Sequence, residues 1–389
     1  MSAQTTTGDG GPDPAAVRVR IGPLWMNPTI SIPNVGIDTN VFNEPANLTP
    51  KRDFTMTVSP KTELWLRMGR TRLSGLVAED VIWYQKYTTE RAANNTYTIG
   101  WKAPLNRLVL TTSATWLSTR ARPGFEIDAR ARRRESQYSG RIELRAFAKT
   151  YIGVRGSWTQ VRFDENAVFK GSSLQDQLDR TVNSAAVTLR HELTPLTSIT
   201  FSVGRSEEHF KSASSRNSTS RDYSVALSFD PAALLKGSAT VGYKVYTPES
   251  ADLADYRGST AAVGLTYTLL GSTRFSGTIT RNVEFSYDID QPYYVLTGGT
   301  VSIAQQIFGP FDIVARAGDQ RLDYRSREDA IVIAPDRTDR VKSYGGGVGI
   351  HMGQTLRLGF SIDKERRTSV LPGRQYEGLK YGSSITYGL

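Results

Sequence analysis

Residues 379–389 (LKYGSSITYGL) put Leu379, Tyr381, Ile385, Tyr387 and Leu389 on one parity, broken only by Ser383. Lys380, Gly382, Ser384, Thr386 and Gly388 take the other. A period of two marks a strand with one apolar face and one small or polar face. The alternation recurs along the chain and predicts strands near 29–42, 53–68, 72–87, 96–103, 107–120 and 136–148. It continues near 151–164, 181–193, 198–210, 221–230, 238–247 and 257–269. The last six fall near 273–287, 294–308, 311–325, 340–352, 355–370 and 377–389. Eighteen strands is an even number, as bacterial barrels require.

The connections alternate in length. Those after even-numbered strands are tight turns, such as Gly69–Arg70, Lys149–Thr150, Gly271–Ser272, Gly309–Pro310 and Gly353–Gln354, with Asp230–Lys236 somewhat longer. Those after odd-numbered strands, such as 121–135, 165–180, 211–220 and 326–339, are longer and more polar. Short turns at one end and long loops at the other match the two rims of an outer-membrane barrel. Many short alternating strands also build soluble sandwiches, but a sandwich has no reason to segregate loop length in this way.

Facing follows from parity. Ile142, Leu144, Ala146 and Ala148 oppose Arg141, Glu143 and Arg145, and Ala185, Val187 and Leu189 oppose Thr188, Arg190 and Glu192. Val241 and Tyr243 oppose Gly242 and Lys244, and Leu356, Leu358, Phe360 and Ile362 oppose Arg357, Gly359, Ser361 and Asp363. A charge facing mid-bilayer lipid costs roughly 2–4 kcal/mol, so in a barrel the charged faces point inward. Arg141, Glu143, Arg145, Arg155, Arg190, Glu192, Lys244 and Arg357 are therefore expected to line the lumen. Aromatics near strand ends (Trp83, Tyr84, Tyr87, Tyr97, Trp101, Trp116, Tyr287, Tyr293, Tyr294, Tyr376 and Tyr381) suggest interfacial girdles.

Composition agrees. The chain has 389 residues, 39% hydrophobic, with 34 glycines, 18 tyrosines and no cysteine. Disulfides and thiolate metal sites are thereby excluded. Mean hydropathy is −0.37, and no apolar run reaches the eighteen residues of a spanning helix. The net charge of +10 suits anionic lipid, an anionic solute or nucleic acid. No compact basic groove with stacking aromatics accompanies it, so a nucleic-acid role is not expected. Residues 1–16 are polar and carry no signal-peptide pattern; Ser2-Ala3-Gln4 after Met1 fits the start of a mature chain.

The closing strand resembles the terminal strand of bacterial outer-membrane barrels, with Leu389 in place of the more usual Phe. Residues 21–43, with Gly22, Pro23, Asp38, Asn40, Val41 and Phe42, resemble the opening of outer-membrane β-barrel porins of the exopolysaccharide-operon type. Asp53, Phe54, Ser59 and Pro60 continue the likeness. The resemblance implies an outer-membrane conduit, in some members encoded beside polysaccharide export machinery.

The expectation is an all-β transmembrane up-and-down antiparallel barrel over 29–389, preceded by a flexible periplasmic tail over 1–28. It would sit in the bacterial outer membrane as a porin-like channel for an anionic solute or exopolysaccharide, without cofactor, metal or enzymatic activity. Expected partners are outer-membrane lipid and lipopolysaccharide, the barrel-assembly machinery and polysaccharide-export components. Arg130, Arg132, Arg133 and Arg134 are expected in a basic extracellular loop that meets lipopolysaccharide or narrows the pore. The triple glycine Gly345–Gly347 would allow curvature or make room for an inward element. Two alternatives stand. One is an adhesive or structural barrel with a blocked lumen. The other is an outer-membrane enzyme using His351 beside Ser343 or Ser361, although no Gly-x-Ser-x-Gly elbow accompanies it.

Overall fold

The computed structural model describes residues 17–388 apart from 231, 232, 329, 331–333, 335, 336 and 354. The tail over 1–16, Gln354 of one tight turn and the terminal Leu389 thus lie outside the described residues, as does part of the 326–339 loop. Eighteen long strands follow one another. They are β1 Leu24–Asp38, β2 Asp53–Met68, β3 Thr71–Tyr84, β4 Ala92–Leu105, β5 Leu108–Ala121 and β6 Ala131–Phe147. Next come β7 Thr150–Phe163, β8 Arg180–Thr194, β9 Thr197–Phe210, β10 Ser218–Phe229, β11 Leu235–Pro248 and β12 Tyr256–Leu269. The series ends with β13 Thr273–Phe285, β14 Tyr293–Phe308, β15 Phe311–Arg325, β16 Thr338–Met352, β17 Leu356–Thr368 and β18 Tyr376–Tyr387.

Each strand pairs antiparallel with its neighbours in sequence. β18 closes on β1, from Tyr387 opposite Ile30 to Lys380 opposite Asp38. Closure removes the sheet edge, the one arrangement of strands in which every backbone group is paired within lipid. β1 begins at Leu24, earlier than periodicity places it, because Val19–Ile21 pairs back on it. Pro33 falls where the β1 register shifts against both neighbours. A residue without an N–H is tolerated at such a bulge.

The faces follow the parity. Val187 is 58% exposed on the outer wall, whereas the next residue, Thr188, is 3% exposed on the inner one. Outside, Trp116, Tyr138 and Trp158 form an aromatic ladder across β5–β7, with ring centroids 6.0 and 5.6 Å apart. Among the described residues no helix is long and apolar enough to cross a membrane; the one α-helix among them, α1 (Leu174–Leu178), belongs to a loop. The buried apolar clusters gather at the long-loop end.

Candidate functional site: the lumen and its lid

Hydroxyl groups pair across neighbouring strands of the inner wall. Cross-strand pairs Thr98–Thr115, Ser113–Ser139, Ser157–Ser184 and Thr278–Thr300 lie 2.7 to 3.0 Å apart. Paired hydroxyls satisfy one another yet keep spare acceptor capacity toward the lumen.

The charged lumen candidates form distinct groups. Arg190 is buried over the Tyr151 ring at 4.0 Å, with Glu143 at 2.9 Å and Glu192 at 3.0 Å. Arg145 donates to the Tyr151 hydroxyl at 2.9 Å. Lys244 pairs with Asp222 at 3.5 Å. Arg357 pairs with Asp312, which also takes His351 at 2.9 Å. Arg141 and Arg155 stand directly opposite one another on β6 and β7. Arg141 reaches Glu143 only at 4.0 Å, and Arg155 makes no ion pair among the described residues. Arg155, and Arg145 with only the Tyr151 hydroxyl and ring, are thus lumen candidates without a carboxylate partner among the described residues, and Arg141 facing Arg155 is only weakly paired.

The triple glycine makes room for lumen ion pairs. Gly345 lies between Arg316 on β15 and Asp363 on β17, which bond over it at 2.8 Å. A Cβ at 345 would overlap the Asp363 carboxylate, and one at 349 would overlap Arg357 and Asp312. Two strands thus exchange charge across the one between them.

Loops from opposite sides of the barrel meet over the mouth. β12 pairs with β13 only as far as Ala261 opposite Arg281. Beyond that point the β13–β14 arm bends inward. Phe285 packs on Phe210 at 4.9 Å, and Tyr293 packs on Tyr246 at 5.1 Å, both partners being on inward parity. Arg216 anchors the arm by donating to the carbonyls of Ser286 and, at 2.7 Å, Asp288.

Segment 122–130 reaches the tip of that arm. Glu126 accepts from the Ser286 hydroxyl at 2.6 Å and from the Tyr287 amide at 3.2 Å. Ile127 joins Phe163, Phe169, Leu174, Leu178 and Tyr287 in an apolar core, bringing in the 164–179 loop with α1. Arg367 donates to the Phe125 carbonyl at 2.7 Å and to the Glu126 carbonyl at 3.1 Å, and also pairs with Asp339. Arg374 pairs with Asp128 at 3.1 Å and stacks on Phe169 at 5.0 Å. Arg337 pairs with Asp339 at 2.6 Å over the Tyr324 ring.

Burial pushes the Glu126 carboxyl above the usual carboxylate range, opposed by the Ser286 hydroxyl and by Arg374 and Arg337. Burial also lowers the Arg216 guanidinium to about 10. The 122–130 loop is a keystone over the mouth: the buried Arg367 and Arg374 hold it and it is seated on an apolar core, while Arg216 and Arg337 fix the neighbouring arm and the start of β16.

Several placements differ from the sequence expectation. Arg132, Arg133 and Arg134 lie on β6, because pairing with β5 starts at Ala131. Only Arg130 is in the loop, where it donates to the Tyr84 hydroxyl at 2.6 Å and the Val41 carbonyl at 3.0 Å. Arg133 points inward to Glu135 at 2.5 Å, and Arg132 and Arg134 point outward. Tyr84, Tyr287, Tyr293, Tyr294 and Tyr376 are buried within the mouth rather than in a girdle. Burial against the lid, not contact with lipid, explains aromatics at those strand ends. The arginines at 216, 337, 367 and 374 carry no periodic signal. The available hint was the apolar–acidic run Phe125-Glu126-Ile127-Asp128, too apolar for a freely solvated loop.

The family described as "Putative beta-barrel porin 2" matches over residues 12–387. The chain belongs to this family. It is an outer-membrane β-barrel of porin type. No curated protein matches it. Among solved structures, a BenF-like porin from Pseudomonas fluorescens Pf-5 is 11% identical, with TM-score 0.48, over 93% of this chain and 98% of that one. OccK3 (OpdO) of Pseudomonas aeruginosa is 10% identical, with TM-score 0.47, over 94% and 95%. OpdK of Pseudomonas aeruginosa, solved with vanillate, is 9% identical, with TM-score 0.47, over 94% and 98%. In this porin-family barrel His351 faces Asp312 and Arg357 rather than a serine. His191 sits at the short-turn rim with Thr150 at 2.9 Å.

Proposed function

We propose that this barrel is a gated outer-membrane conduit for an anionic solute, an acidic saccharide being the class that best suits its wall. The carrying observation is the facing pair Arg141 and Arg155 on a wall of paired hydroxyls. Fixed positive charge raises the local anion concentration, and hydroxyl rows exchange hydrogen bonds with a sugar at little reorganisation. Export of an exopolysaccharide, with partner export components at the periplasmic rim, is one use of such a path. The alternating C-terminal strand is the part that assembly machinery would engage.

The Arg141→Glu, Arg155→Glu double variant is expected to shift the reversal potential under a salt gradient from anion toward cation preference. The shift should be largest at low ionic strength, where the Debye length approaches about 30 Å. Conductance with an unmoved reversal potential would remove those arginines from the path.

A second proposal is an adhesive barrel with a permanently blocked lumen. It draws on the buried contacts that join opposite sides of the mouth. A folded, lid-free variant that never conducts would favour it.

A further inference from the structure

The outer wall carries an apolar groove. Its volume is about 730 Å³, and Leu189, Phe201, Val203, Tyr223, Val241 and Tyr243 line it on β8–β11. A second hollow of about 410 Å³ shares Val187, Val203 and Tyr223 with the first and ends at Arg205 and Arg221. These two arginines are outward-facing and directly opposite one another on β9 and β10. Like charges placed opposite across a sheet oppose its pairing. Arg205 takes Glu207 at 2.8 Å, while Arg221 makes no ion pair among the described residues. Toward β6 and β7 the motif repeats, with Arg134 opposite Arg162 on the same outer surface. The arginines lie toward the long-loop end of their strands, which is the outer-leaflet side of the barrel.

We infer that this groove seats a phosphorylated, multiply acylated lipid of the outer leaflet, a lipid A. Its acyl chains would lie on Leu189, Phe201, Val203 and Val241. A phosphate would bridge Arg205 and Arg221, since a guanidinium matches phosphate oxygens in paired hydrogen bonds. Charge selects this occupant over a second copy of the chain. A two-fold contact through the groove would set the same arginines against each other. The site is independent of whether the lumen conducts.

The test uses the full-length protein in detergent and native mass spectrometry, titrating bisphosphorylated and fully dephosphorylated lipid A. Wild type is expected to hold the bisphosphorylated form much the more tightly. Arg205→Gln with Arg221→Gln should weaken that binding roughly 30-fold, from the usual contribution of a surface arginine toward anionic lipid. Arg321→Gln, an outward arginine away from the groove, should leave it unchanged. Equal wild-type affinity for the two lipids would overturn the inference, as would an unaffected double variant. A lipid-free dimer sealed through the groove would also overturn it. Should the double variant fail to fold, the comparison of the two lipids on wild type alone decides the matter.

Discussion

Replacing Arg367 with Gln unfastens the lid while leaving the barrel wall intact. Arg367 is buried and donates to two carbonyls of the keystone loop, at Phe125 and Glu126, while pairing with Asp339 and Asp128. Removing one partner of a buried ion pair costs about 3–5 kcal/mol, because the other charge is stranded. Arg337 retains its bond to Asp339, so the effect falls at the lower end of that range. Local opening at that cost should raise amide exchange across 122–130 by on the order of a hundredfold. Mid-strand amides of β6 and β14 should keep their protection. Unchanged exchange in the loop would mean that the apolar core around Ile127 holds the lid without the arginines.

Val301→Arg and Ile279→Arg are each expected to impair membrane insertion. Both side chains are about half exposed on the outer wall, at 51% and 53%, near the middle of β14 and β13. An arginine there meets lipid and costs roughly 2–4 kcal/mol at the bilayer midplane. The neighbouring inward substitution Ser302→Arg should be tolerated, since its side chain enters the lumen. Heat-modifiable migration on a gel, scored as the fraction of compact species, reads the difference. Equal damage from the inward and outward changes would show that the wall is not sided as the exposures indicate.

Local periodicity carried the wall and fell silent at the mouth. Eighteen strands, their two faces and the segregated turns are legible because each depends on residues two apart or on one turn. Ile142 against Arg141 is decided within a dipeptide. The lid depends instead on contacts such as Glu126 with Arg374, 248 residues away. No spacing in the sequence encodes which loops meet once the barrel closes. Arg132 to Arg134 look like a solvated run until pairing with β5 is known, and that pairing then sends neighbours to opposite faces. Tyr293 and Tyr294 suit a girdle by position, but the inward bend of β13–β14 buries both. Gly345 to Gly347 announce that something needs space, without saying that Arg316 and Asp363 fill it.

The decisive measurement is single-channel conductance in planar bilayers, comparing wild type with a variant whose residues 123–129 are replaced by a short Gly-Ser turn. A gated conduit gives rare, brief openings in wild type and a stable, larger, anion-preferring conductance in the variant. A correctly folded variant that stays silent, or a wild type already open at the same level, would contradict it.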